Sequence, residues 1–503
     1  MAHADMNIPG AWPEQPRAFG APEPPQRPDA MREVPWSRWS SSYAARLDDK
    51  KTGFDTKLFD PNDADAYRLG PPSEMPDYHQ IIEKYGLQVL EAAGFLNHKV
   101  EAVSGDITGR LAFAQWRNPC LDVDQWIHPV LRSEMWINVT DRQYSLMKPA
   151  LLLASAILDD PVTLNYFHAL SMPAASMDTI SHISRGLIAN CKIMTIPETL
   201  SPEQQQAVYK KLCNMRNFTH WGFERSGVID GMGYTEPLIN GAGNYIPATK
   251  PRTMQSKIRL RTEYIRVLED YAAIADPEDE SYNRIYEDSY TMAGIHPSRR
   301  PPISHVSAIY RTGLSLAATM LHELTHAFTM AYFETTRSKI LDNPCEPWVR
   351  GDRANEQGWA FENYAFGGVV YPYMIGIPPI HHDFVSYLQH IAAPFGLWTS
   401  QQWDVWMSNE GDFCQTMDFD RQDDDEEWPE NRVYPVPQAW TQWLYSDDLW
   451  KDQIHRYGLS VIKVPKLRDW EVPIRCTGDI GYWQTGEDRW NTGEKIFWSQ
   501  NWT

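Results

Sequence analysis

At 503 residues the chain is long enough for roughly two to four domains and a large core. Its 42 % hydrophobic and 22 % charged residues are globular values. A formal net charge of −20 argues against nucleic acid or an anionic membrane as partner, since both need basic surface. No apolar run approaches the roughly 18 residues of a membrane span; the longest, Ala150 to Leu158, is far shorter. The first thirty residues lack the apolar stretch of a secretory signal, and the six cysteines show no paired spacing. These features predict a cytoplasmic protein with reduced thiols, in which the sequons at Asn138 and Asn217 go unused.

Residues 1–75, rich in Pro, Gly, Asp and Arg, read as an extended arm. Residues 76–220 read as a helical region. Its predicted helices are Tyr78–Ala93, Thr140–Ile157 (broken or kinked at Pro149), Asp160–Leu170, Met177–Asn190 and Ser201–Asn214. The last opens with the capping-box arrangement Ser201-Pro202-Glu203-Gln204. Residues 221–400 form the predicted catalytic core. It opens with short strands and turns over 221–260, around the Gly-rich segment Gly227 to Tyr234, followed by a helix over Leu260–Ala275.

The stretch Val306 to Phe333 follows, with no proline, one cation (Arg311) and one carboxylate (Glu323). Leu314, Ala317, Leu321, Leu324 and Phe328 fall close to helical spacing, so this is a helix apolar nearly all round and therefore buried. Within it lies His322-Glu323-Leu324-Thr325-His326. Residues four apart share one helix face, so two imidazoles at that spacing can grip one Zn²⁺ while Glu323 serves as general base. The competing reading is a chance pair of core histidines. It leaves charged and polar groups on a buried helix without a purpose.

A third ligand is needed, and the next histidine is as distant as His381. Downstream stands Asn355-Glu356-Gln357-Gly358-Trp359-Ala360-Phe361-Glu362. Together with the HELTH motif, this segment resembles the gluzincin zinc metallopeptidases, in which a glutamate on a second helix completes the site. Residues 355–360 are similar to the Asn-Glu-Gly-Phe-Ala segment of the aminopeptidase branch, with one residue extra, and 322–327 match the first motif of the thermolysin branch closely. The likeness spans about 305–368 only. It implies Glu356 as third ligand, Glu362 being the rival, and a small sheet before the metal helix whose edge strand binds extended substrate.

Three features depart from that family. Glu356 lies 30 positions after His326, so an additional loop from Glu334 to Arg353 must be accommodated. Ala360 stands where a carboxylate four residues beyond the third ligand is usual, and the Gly-Ala-Met-Glu-Asn motif of the exopeptidases is absent.

The implied mechanism has the metal activate a water and polarise a carbonyl, with Glu323 moving the proton. His381 and His382 are the first candidates to stabilise the oxyanion, ahead of Tyr364, Tyr371, Tyr373 and His305. A helix is expected around Phe384–Ala392. Residues 401–503 are acidic and Trp-rich: 12 of the 21 tryptophans lie beyond 397, and eight acids fall between Asp418 and Glu430. A solvated acidic loop and Trp-filled core account for these; an aromatic ligand cleft is the alternative.

The expectation is thus a mainly α (α+β) protein with a zincin-like core, a zinc-dependent hydrolase acting on a peptide or small amide-containing substrate. The runner-up is a metal-dependent biosynthetic hydrolase, lyase or cyclase acting on a small molecule. A binding protein with a vestigial metal site comes third. Oligomeric state is left open.

Overall fold

The computed structural model describes residues 85–96, 124–184, 187–224, 232–242, 244–251, 253–273, 305–333, 346–349, 357–372, 396–400, 431–446, 449–467, 470 and 472–474. The arm over 1–75, Glu356, Tyr373, His381, His382, the helix expected at 384–392 and the acidic run 418–430 lie outside them. The protein is mainly helical with small sheets, and no described helix is long and apolar enough to cross a membrane.

In chain order the elements that position the site are these. Helix α1 is Leu87–Ala92, strand β1 Trp136–Ile137, helix α2 Asp141–Leu158 and helix α3 Pro161–Leu170. Strands β2 (Asp178–Ser184) and β3 (Leu187–Met194) precede helix α4 (Pro202–Asn214). Strands β4 (Thr219–Glu224), β5 (Gly233–Pro237) and β6 (Ser256–Arg261) then lead into helix α5 (Thr262–Ala273). Helix α6 (His305–Tyr332) is followed by β7 (Trp348–Val349), α7 (Gln357–Phe366), β8 (Val369–Pro372), β9 (Leu397–Ser400), β10 (Asn431–Val436), α8 (Gln438–Trp443) and β11 (Val472–Ile474).

Local signals explain most of these boundaries. The Thr140 and Ser201 hydroxyls accept from the N–H groups of Gln143 and Gln204, whose side chains accept from the cap residues in return, so α2 and α4 each open on a capping box. The Asp160 carboxylate caps α3 ahead of Pro161. Helix α2 runs unbroken through Pro149, so of the expected break or kink the break does not occur. Proline removes one N–H from the ladder, and the row of buried residues from Tyr144 to Leu158 holds the helix together across it.

The predicted helix Met177–Asn190 is instead the antiparallel hairpin β2–β3, in register from Asp178↔Ile193 to Ser184↔Leu187. Thr179, Ile180, Ile183, Ile188 and Ile193 are β-branched, and Gly186 falls between the two runs. Strand chemistry prevailed over the apparent helical spacing.

Helix α6 is the axis of the core. From Ser307 to Phe333 every position is buried except His322, His326, Met330 and Tyr332. Each fully buried Leu or Phe contributes on the order of 2 kcal/mol, so this helix can bear the cost of a few buried polar groups. Its threonines are satisfied within the helix: Thr312, Thr319, Thr325 and Thr329 donate to the carbonyls of Ala308, Ser315, Leu321 and Thr325. Arg311 is buried and donates to the carbonyl of Leu96 and to Gln438 Oε1, tying α6 to α8 and to the chain after α1.

One four-stranded sheet, in the order β1-β4-β6-β5, lies beside α6. Its β1–β4 and β4–β6 pairs are parallel, while β5 runs antiparallel to β6 at the sheet edge. A second sheet, β11-β10-β9-β8, joins strands from both sides of residue 401, and the hairpin β2–β3 takes β7 as a parallel third strand. Of the C-terminal tryptophans, Trp398, Trp440, Trp443 and Trp470 are buried.

Candidate metal and catalytic site

His322 and His326 lie one turn apart on α6, their ring centroids 5.2 Å apart. With Met330 they occupy i, i+4 and i+8, so the partly exposed stripe of this otherwise buried helix runs through both histidines.

Each imidazole is oriented by a glutamate. His322 Nδ1 is 2.8 Å from Glu362 Oε1, and His326 Nδ1 is 2.8 Å from Glu346 Oε1. A carboxylate only accepts, so each ring places a proton on Nδ1 and, when neutral, its lone pair on Nε2. The second oxygen of each carboxylate accepts a backbone N–H: Val370 to Glu362 at 3.2 Å, and Gln357 to Glu346 at 3.0 Å. Glu362 is 3 % exposed, and such burial is tolerable only with these partners.

Glu323, 5 % exposed, is held against the edge strand. The Thr235 hydroxyl lies 2.7 Å from its Oε2 and 3.0 Å from its main-chain oxygen. Strand alternation brings Gly233 to the same face, where a Cβ would stand 2.7 Å from both Cγ and Oε1 of Glu323. Only glycine permits β5 to approach the carboxylate this closely. Tyr234 points to the other face of the sheet and is 44 % exposed. Its phenol is pushed above the ordinary value by burial, then by the charges of Glu236 and Glu323.

Helix α7 approaches α6 as closely. A Cβ on Gly358 would lie 2.3 to 2.4 Å from three atoms of the His322 ring. Gly358 and Glu362 are four residues apart, so both present to His322. At its other end α7 closes on Gly367 (φ 75°), and the Lys463 ammonium donates to the carbonyls of Asn363 and Tyr364. Burial pulls that lysine down to about 8.

The remaining candidates are placed as follows. Tyr364 is two residues past Glu362 and so turned by roughly 200° about α7; its hydroxyl donates to the Val162 carbonyl and its ring packs on Tyr166. Burial raises its phenol to about 12. It is engaged on α3, away from the histidines. His305 begins α6, about 25 Å along the axis from His322. Tyr371 stays near the site: its oxygen accepts from Trp359 Nε1 at 3.0 Å, and Trp359 meets the His322 ring edge-on at 6.1 Å.

Among the described residues no group of three or more His, Cys, Asp or Glu is arranged to hold a metal ion, and Glu356 is outside them. The donor set at hand nevertheless suits zinc, because carboxylates on Nδ1 raise the basicity of Nε2 and set its direction. Glu346 and Thr235 were not anticipated. Glu346 sits in the additional loop, where Cys345 and Pro347 flank it without any motif. Thr235 would have been found only by asking which strand residue meets the base.

Comparison of the chain with models of known families, with characterised proteins and with solved structures gave no match.

Proposed function

We propose that this chain is a zinc-dependent hydrolase, a metallopeptidase-like enzyme that cleaves an amide bond with Glu323 as general base. The observation that carries this reading is the carboxylate on Nδ1 of both HELTH histidines, along the partly exposed stripe of a buried helix. A chance pair of core histidines has no reason to share that feature.

His322, His326 and Glu356 would hold the metal. The contact of Glu362 with His322 Nδ1 supports Glu356, the residue before α7, as third ligand over its rival Glu362. The gluzincin likeness gains support from the arrangement of two helices, α6 and α7, beside a small sheet with an antiparallel edge strand. Zinc, when bound, would polarise the substrate carbonyl and acidify a water. Glu323 receives the proton of the attacking water and passes it to the leaving amine. Thr235 and Gly233 hold Glu323 in one rotamer for that transfer. An extended peptide or a small amide would pair along β5. The oxyanion donor is sought among His381, His382 and Tyr371. The scattered cysteines suit action in the cytoplasm.

Metal analysis of the wild type, His326→Ala and Glu356→Ala tests the ligand set. About one zinc per wild-type chain, lost in both variants, is expected. No zinc in the wild type even after it is added back would sink the proposal. Glu323→Gln should retain its zinc yet cleave a peptide library about 10² to 10⁴ times more slowly.

A further inference from the structure

Glu346 contacts two parts of the site that are distant in sequence. Its Oε1 lies 2.8 Å from His326 Nδ1, and its Oε2 accepts the Gln357 N–H at 3.0 Å. Gln357 is the first residue of α7 and the immediate neighbour of Glu356. It is fully buried and held by further bonds: its side-chain amide donates to the Pro347 carbonyl, while Tyr166 Oη lies 2.8 Å from its Oε1 and 3.1 Å from its main-chain oxygen. The base of Glu346 is fixed as well. Trp348 and Val349, just beyond it, pair in parallel with Ile193 and Met194 of the β2–β3 hairpin. The loop that separates the two motifs therefore delivers a carboxylate whose backbone is anchored by strand pairing on the β2–β3 hairpin, in a sheet packed against α7.

We propose that Glu346 is the positioning residue of this centre, one oxygen setting the tautomer and aim of His326 and the other holding the start of α7 beside Glu356. The role in metal binding rests on the zinc reading above; the hold on His326 and Gln357 does not. Isolated imidazole favours the proton on Nε2. A carboxylate on Nδ1 reverses that preference and presents the Nε2 lone pair. The two donors, His326 Nδ1–H and Gln357 N–H, meet different oxygens of Glu346, and glutamine at 346 puts an NH2 in place of one of them, so one donor then faces a donor.

The test uses the full chain, metal-free, with nitrogen-15 in its histidines, at about pH 8.5 where free imidazoles are neutral. The His326 ring, assigned by loss of its signals in His326→Asn, is expected as the Nδ1–H tautomer in the wild type, a measurement that needs no Glu346 variant to fold. In Glu346→Gln and Glu346→Ala it should move toward Nε2–H, and zinc affinity, read by competition with a chelating dye, should fall about 10- to 100-fold. Glu224→Gln, at a carboxylate paired with Arg259 on the sheet, serves as the unaffected control. An Nε2–H tautomer in the wild type, or wild-type zinc affinity in both variants, overturns the assignment. A wild type with Nδ1–H on His326 that takes up no zinc overturns the hydrolase reading instead, and leaves Glu346 as the residue that sets the tautomer.

Discussion

His128 and His326 are one residue type in two opposite settings. His128 Nδ1 accepts the Val130 N–H at 3.3 Å, so its proton sits on Nε2, 3.9 Å from Cys213 Sγ. The two HELTH rings carry theirs on Nδ1, toward carboxylates. His128 is a buried core histidine, and burial, then the nearby Arg132 charge, lowers it from 6.5 to about 3. The unfolded chain takes up that proton first, so the contribution of neutral His128 is whole above pH 6.5 and is lost as pH falls toward 3. As pH falls from about 7 to 4, the unfolding free energy should therefore drop with a slope approaching 1.4 kcal/mol per unit from this group, and His128→Gln should flatten that limb. An unchanged slope in the variant would remove His128 from the account. Sequence spacing singled out the HELTH pair because four residues make one turn. It could not supply Glu346 or Thr235, which meet their partners across 20 and 88 residues.

Helices α6 and α7 meet where Gly358 faces the His322 ring, and that glycine decides how closely they pack. Gly358→Ala must displace the ring or the helix, at a cost of about 1 to 3 kcal/mol, and should also lose zinc through the misdirected imidazole. Gly241→Ala, with nothing within 4 Å of the new methyl, is the control and should stay within about 0.5 kcal/mol of wild type. Equal stability and zinc content in the two variants would show that the close approach is unimportant. At this scale α2, α3, α4, α5 and α6 were legible from caps and apolar spacing, because those signals are local. The β2–β3 hairpin was misread, since a short run rich in isoleucine fits both periods until a partner strand selects one. The same selection through packing carried α2 past Pro149.

Across the whole molecule, the described segments that build the candidate site are drawn from 136–137, 219–224, 233–237, 256–261, 305–332, 346–349, 357–372 and the hairpin that anchors β7, so under the proposed function folding and metal binding should be coupled. With zinc at about 100 times its dissociation constant, the native state gains about 2.7 kcal/mol. On the zinc proposal, stripping the metal with a chelator should lower the unfolding free energy of the wild type by that amount and leave His326→Ala unmoved. A chelator effect of equal size in both would mean the stabilising metal binds elsewhere. The sequence by itself determined the buried central helix, the histidine pair with its intervening glutamate, the Ser201 capping box and the helices α2 to α5, all of which depend on neighbours within about four residues. Tertiary structure alone decided which carboxylate stands at each histidine and the glycine contacts against Glu323 and His322. Those depend on which surfaces meet, and meeting is settled by the packing of whole elements rather than by local spacing.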